Sequence, residues 1–301
     1  MAGKSSEENK TVVQVPFVRP YNFALSTSAV HSFQPGQSPK TAGLRLPVRI
    51  GETPVVIEVT SSGADSDTLT AVSRPACDPS QVRNTVDWVL FLDLDLAPFY
   101  RKLAAHPKLA ALPEKLHGLK PSRPASLFEM AVTAITEQQI SLAAAYRIRD
   151  RLVQRFGEPV EDLRVFPRPE ALAAAAPEEL RSCGLSGQKI RYIKELAGRI
   201  MEGSLDIDSL KQTDDEGARQ TIMSWKGFGA WSADYILIRG LARPDSVPAE
   251  DIGIREVVGR YLNEGPRATA QEVTELLESF RPYRGLLAFY LLVYKRLFPD
   301  E

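Results

Sequence analysis

The segment TIMSWKGFGAWSADYILIRG, residues 221–240, holds the residues best placed to bind an anion. Gly227-Phe228-Gly229 lies between two runs of helical period. Glycine at both positions permits positive φ and close backbone approach, and Phe228 between them can turn inward to tie the connection to a core. The second run begins at once with Ala230 and Trp231, so its first amide N–H groups lack intrahelical acceptors. Such a start favours an anion, and a DNA phosphate is a natural one. A contact of this kind positions a protein and reads no base sequence. An ordinary tight turn before a helix would look the same.

The second run carries two apolar faces. Ala233, Ile236, Leu237, Gly240 and Leu241 form one stripe at helical spacing, and Trp231, Tyr235 and Ile238 fall opposite. A helix of this kind is either buried on both sides or lines a second compartment. Val247-Pro248-Ala249-Glu250-Asp251 follows, and then a further run with Ile254, Val257, Val258, Tyr261 and Leu262 on one face. Asp251 stands where a helix N-cap stands, without the reciprocal Glu or Gln of a capping box, since position 254 is Ile. By itself it reads first as a cap and second as a chemical group.

The elements that must hold these residues divide the chain near residue 80. Before it, strand-like runs occur at Thr11–Phe17, Leu44–Ile50, Pro54–Thr60 and Thr68–Ser73, and the short Gly51-Glu52-Thr53 connection predicts a hairpin. Residues 11–80 are therefore expected to form a small antiparallel β domain behind a disordered leader, residues 1–10. Residues 81–301 are rich in Ala, Leu, Glu and Arg with helical period throughout. Asp78-Pro79-Ser80 predicts a helix start, Pro113–Pro124 a connection, and Ser126 and Ser141 the caps of two successive helices. Further helices are expected around 170–183, 187–202, 214–225, 230–241, 251–262, 269–280 and 282–298. The fold class is α+β: a small N-terminal β-sheet domain on an all-α body.

Composition narrows the chemistry. The chain has 301 residues, 44% hydrophobic and 25% charged, as in ordinary globular proteins. No apolar run is long enough to span a bilayer, and MAGKSSEENK lacks the apolar core of a secretory signal. A cytoplasmic protein is expected. Two cysteines (Cys77 and Cys183) and three histidines (His31, His106 and His117) show no zinc spacing and cannot supply a four-cysteine iron–sulfur cluster. Carboxylates, hydroxyls, aromatics and backbone must do the work. The formal net charge of −1 lends nucleic-acid binding no support, although local Lys and Arg placement also counts.

The pattern from Lys226 to Asp251, K-G-F-G-x-W-x-A-x-Y and then V-P-x-x-D, strongly resembles the helix-hairpin-helix (HhH-GPD) DNA glycosylase superfamily, within it the 3-methyladenine DNA glycosylase II branch. The likeness runs from about residue 80 to 301. It takes in Leu127-Phe128-Glu129, the Glu137-Gln138-Gln139-Ile140-Ser141 turn and the closing Pro-Asp-Glu at 299–301, and a preceding β domain suits the branch. The resemblance implies that Asp251 is the catalytic aspartate, stabilising positive charge on the sugar as the N-glycosidic bond breaks. Relatives that also nick the strand carry a nucleophilic lysine where this chain has Trp231, which implies a monofunctional enzyme. It also implies DNA contacts at Lys226, Gly227, Phe228, Gly229 and Ala230, with Gln139 or else Ile140 filling the gap left by an extruded base. A structural Na⁺ or K⁺ on the carbonyls near Met223, Trp225 and Gly227 follows from the resemblance alone. No cofactor is expected for the chemistry, and the expected partner is duplex DNA holding a damaged base, bound by a monomer with no role for a membrane.

Alkylated bases are cationic and favour aromatic faces. Candidate pocket residues are Trp231, Tyr235, Tyr290, Tyr294, and Tyr21 or Phe23 from the β domain. The branch usually has aromatics where this chain has Ile252 and Leu292-Val293. Two alternatives stay open: excision of an oxidised or deaminated purine on the same fold, and a non-catalytic hairpin protein that only binds DNA.

Overall fold

The structure is a computed structural model describing residues 9–32, 43–61, 63 and 66–300. The expected leader lies outside the described residues as far as residue 8. Four strands, β1 (Thr11–Pro16), β2 (Gly43–Ile50), β3 (Thr53–Ser61) and β4 (Thr68–Arg74), form an antiparallel sheet in the order β1-β4-β3-β2. Ile50 pairs with Thr53, so the β2–β3 hairpin turns on Gly51-Glu52, and Gly51 supplies the left-handed backbone at φ 57°.

Alternating apolar residues (Val13 and Val15; Val55, Ile57 and Val59; Leu69 and Ala71) place one sheet face in a core. That core is closed by Val82, Val86 and Val89 of α2 (Pro79–Leu90). The sheet's packing therefore ends after Leu92 rather than near residue 80. Asp78 caps α2 by accepting from the Ser80 and Gln81 amides. The β domain also contains a helix, α1 (Phe23–Ser32), which strand-like composition did not show.

The helical body has two cores. After α3 (Ala97–Ala104) and the short α4 (Ala111–Lys115) come α5 (Leu127–Glu137) and α6 (Leu142–Phe156), capped by Ser126 and Ser141 as expected. A two-stranded ribbon of β5 (Pro159–Val160) and β6 (Leu163–Arg164) follows. It leads to α7 (Pro169–Ala174), α8 (Pro177–Ser182), α9 (Gly187–Met201), α10 (Asp215–Met223) and α11 (Ala230–Arg239). Apolar residues from Leu127 to Leu241 make one core. The last helices are α12 (Ile252–Leu262), α13 (Ala270–Leu277) and α14 (Arg284–Leu297). They pack with residues 94–119 into a second core, so that lobe is built from two distant stretches of sequence.

Ion pairs join the sheet to the first lobe. Arg45 meets Glu161 and Asp162, Arg49 meets Glu158, and Arg168 meets Glu52. On the other side, the buried Lys120 ammonium donates to the carbonyls of Val18 and Leu92 at 2.8 and 2.7 Å. The seam between the two helical lobes runs from α11, in the first core, to α12, in the second.

Candidate active site

Helices α10 and α11 form a hairpin about Gly227-Phe228-Gly229. Gly227 has φ 89°, and a Cβ there would come within 2.3 Å of the Tyr192 ring on α9. Only glycine fits. Gly229 differs from expectation: its φ of −105° is open to any residue, and a Cβ would meet nothing. Its value is the clear space it leaves over the start of α11. No side chain caps that start, and the first return bond runs from the Ala233 amide to the Gly229 carbonyl. The preceding amides are left to face a ligand.

Phe228 is buried edge-on against Trp225, centroids 5.4 Å apart, which fixes the turn to the first core. Lys226 lies on the surface beside the turn and pairs with Glu195 at 2.8 Å. A phosphate contact from Lys226 would compete with that carboxylate.

The connection between α5 and α6 is bonded to the hairpin. Gln138 Nε2 donates to the Gly227 carbonyl at 2.9 Å and to Ser232 Oγ at 3.0 Å. Lys189 Nζ donates to the carbonyls of Thr136 and Gln138 at 2.9 and 2.8 Å. Gln139 then takes a left-handed conformation, φ 55°, unusual without glycine, and stands exposed beside Ile140, itself 38% exposed. Gln139 and Ile140 thus form the tip of a braced turn. Nothing in the local sequence signals the Gln138 bonds, because a glutamine in a polar turn carries no signature of its partner.

Asp251 is a helix cap with one oxygen to spare. Oδ1 accepts from the Ile254 amide at 3.1 Å, which anchors the carboxylate at the start of α12. Oδ2 accepts the Trp231 indole N–H at 3.3 Å. Trp231 stacks on Tyr235 with centroids 5.0 Å apart and planes at 21°. The Tyr235 hydroxyl donates to Glu137 Oε2 at 2.6 Å, and Arg149 Nη1 lies 3.4 Å from Glu137 Oε1. Burial raises the pKa of Glu137, opposed by the Tyr235 hydrogen bond and by Arg149 and Arg239, and reinforced by the charge of Asp251. Burial and the Glu137 charge likewise hold the Tyr235 phenol far above its ordinary value. Trp231 also borders a charged cleft of about 670 Å³ between α10, α11 and α13.

The other expected pocket aromatics do not join this group. Tyr290 is fully buried in the second core, where it donates to the Leu119 carbonyl at 2.6 Å and packs on Phe99. Tyr294 is buried between Tyr261 and Phe298. Tyr21 and Phe23 pack against the sheet core and line a separate cleft of about 1490 Å³ with Tyr100 and His117. Helical period places an aromatic on an inward face without saying which interior it enters. Ile252 is 61% exposed, and Val293 is buried. A Cβ on Gly253 would meet both Asp251 Oδ1 and Leu292 Cδ2, so the aliphatic Leu292 reaches the start of α12 where the branch usually has an aromatic.

At the end of α10, the Trp225 carbonyl accepts from the Phe228 amide and the Gly227 carbonyl accepts from Gln138. Each keeps a second lone pair, and carbonyl oxygens suit an alkali cation. The donor set expected near Met223, Trp225 and Gly227 fits in kind. Among the described residues no His/Cys/Asp/Glu cluster could hold a metal, and no helix is long and apolar enough to cross a membrane.

Residues 132–282 match the family described as HhH-GPD superfamily base excision DNA repair protein. A DNA-3-methyladenine glycosylase of Bacillus subtilis is 30% identical over 204 residues, 66% of this chain and 67% of that protein. The chain spans 58% and 40% of two further curated relatives, at 27% and 32% identity. Among solved structures, a 3-methyladenine DNA-glycosylase from Archaeoglobus fulgidus superposes with a TM-score of 0.82 at 27% identity, covering 97% of this chain and 100% of that one. An 8-oxoguanine glycosylase/lyase of Clostridium acetobutylicum shares the fold at 17% identity, TM-score 0.74, covering 95% and 96%.

Proposed function

The chain belongs to the HhH-GPD superfamily of base excision DNA repair proteins, and we propose that it is a monofunctional DNA glycosylase releasing alkylated bases of the 3-methyladenine type from duplex DNA. The observation that carries this reading is the Trp231–Asp251 contact at the lobe seam. It sets a flat π-face and a fixed carboxylate side by side. The face suits a cationic base, and the carboxylate suits the sugar that base leaves behind.

The reaction is a hydrolysis. The N-glycosidic bond breaks with its electron pair going to the base, so a base that was cationic departs neutral. Positive charge then develops on the sugar, facing Asp251. A water oxygen bonds to the anomeric carbon and gives up a proton, which the Asp251 carboxylate accepts. A base that already carries positive charge needs no strong acid to leave.

An indole cannot form a Schiff base, and Trp231 occupies the second position of α11. Lys189 is spent on two backbone carbonyls and Lys226 on Glu195. These placements support the absence of strand nicking. DNA would be held by backbone amides at the start of α11 and by Lys226 once a phosphate displaces Glu195 from its ammonium, with Gln139 or Ile140 filling the vacated stack. A monovalent cation on the carbonyls near Met223, Trp225 and Gly227 would add positive charge beside the phosphate.

The test is the product profile from methylated duplex DNA, with and without alkaline cleavage of abasic sites. Free 3-methyladenine, with strand breaks only after alkali, is the expected result. Strand breaks without alkali, or release of only 8-oxoguanine or hypoxanthine from a lesion panel, would sink the proposal.

A further inference from the structure

We propose that Glu137 is a positioning residue of this site, acting on Asp251 through Tyr235 and Trp231. The inference rests on the glycosylase reading and adds to it a residue outside the hairpin and the catalytic loop.

Three contacts form the path. Glu137, the last residue of α5, takes the Tyr235 hydroxyl at 2.6 Å. The Tyr235 ring lies nearly parallel on Trp231, centroids 5.0 Å apart. Trp231 donates its indole N–H to Asp251 at 3.3 Å. The stacked pair is therefore held at each edge by a carboxylate, one from each side of the lobe seam. The Glu137 side chain is only 8% exposed. A buried carboxylate at a helix C-terminus is unfavourable both for desolvation and for the helix dipole. Tyr146 and Arg149 of α6, Arg239 of α11 and Asp251 at the start of α12 are the ionisable groups that face it. A neutral acceptor would satisfy the Tyr235 hydroxyl at lower cost to folding, and a phenylalanine at 235 would need no acceptor. The arrangement is explained by what it fixes: without the Glu137 bond Tyr235 is free to rotate, Trp231 loses its backing face, and the indole N–H is no longer aimed at Asp251.

Because Glu137 acts through Tyr235, removing either should have the same effect as removing both. Single-turnover release from a methylated duplex is measured for Glu137→Ala, Tyr235→Phe and their combination, with Glu137→Gln as the conservative variant. Affinity for an abasic-site duplex is followed in parallel. Glu137→Ala and Tyr235→Phe should each slow release by about tenfold with abasic-site affinity unchanged, because misplacement of a reacting group costs rate. The double variant should be no slower than either single one. Glu137→Gln, which still accepts from the hydroxyl, should recover most of the rate.

A second readout does not depend on the lesion. The indole N–H resonance of Trp231 in a ¹⁵N-labelled sample should shift in both single variants and return towards its wild-type position in Glu137→Gln. Multiplicative losses in the double variant, or an unmoved indole resonance, would overturn the positioning role. If the wild-type protein releases no methylated base, the glycosylase reading fails, while the resonance still decides the path.

Discussion

Trp231 donates its indole N–H to Asp251 across the seam between two separately packed cores. The tryptophan belongs to α11, whose inner face is part of the core running from Leu127 to Leu241. The aspartate starts α12, whose inner face belongs to the other. Each lobe is held by its own apolar packing, so the bond brings together two groups that neither lobe could position alone. An extruded base entering between the lobes would meet the ring from one and the carboxylate from the other.

Asp251→Asn should lower single-turnover base release by about 10²–10³-fold, the usual effect of removing a group that stabilises developing charge. Asparagine caps helices as well as aspartate does, and the Ile254 amide would keep its acceptor. Thermal stability and abasic-site affinity should therefore stay close to wild type. Unchanged release from alkylated DNA would show that Asp251 is a cap only.

The two hairpin glycines should separate stability from binding. Gly227→Ala places a Cβ against the Tyr192 ring at a positive φ and should cost about 1–3 kcal/mol in denaturant unfolding. Gly229→Ala has neither problem and should leave unfolding unchanged, while its methyl group intrudes on the space over the α11 amides and weakens duplex binding. Equal effects of the two substitutions on stability would mean that the two glycines do not divide these roles.

Gln138→Ala removes both bonds that brace the 138–141 turn against the hairpin. The tip carrying Gln139 and Ile140 should loosen. Hydrogen exchange should rise in the turn and at residues 227–232, and release of a base from a well-paired duplex should slow more than release from a mismatched one, where extrusion is easier. An equal slowing on both substrates would mean that the turn plays no part in extrusion.

Much of this was legible in the chain. All four main strands, the capped helix starts at Ser126 and Ser141, the hairpin and the cap position of Asp251 follow from local chemistry: alternation, capping side chains, and glycine at a turn. What local chemistry cannot show is which interior a side chain enters. Tyr290 and Tyr235 have the same helical credentials, yet one is spent on the Leu119 carbonyl in the second core and the other on Glu137 at the seam. The division of the helical body into two lobes was hidden for the same reason, since residues 94–119 pack with helices that follow Asp251. Glu137 itself read as part of a polar turn, because its burial depends on α6 and α11 closing over it.

The buried Glu137 carboxylate should give the protein a pH-dependent stability that Glu137→Gln removes. Desolvation raises its pKa above the ordinary 4.5, outweighing the Tyr235 hydrogen bond and the charges of Arg149 and Arg239. The folded state therefore binds this proton more tightly than the unfolded chain does. The resulting stability is fully present below about pH 4.5 and is lost as pH rises through the elevated folded value. Glutamine is neutral throughout and loses nothing over that range. The melting temperature of Glu137→Gln should match wild type near pH 4 and exceed it at pH 8, because only the wild-type carboxylate must ionise in a buried site over that range. Thermal melts across pH 4–8 would check it. A glutamine variant less stable than wild type at pH 8 would mean that pairing with Arg149 outweighs burial and that the ionised carboxylate stabilises the fold.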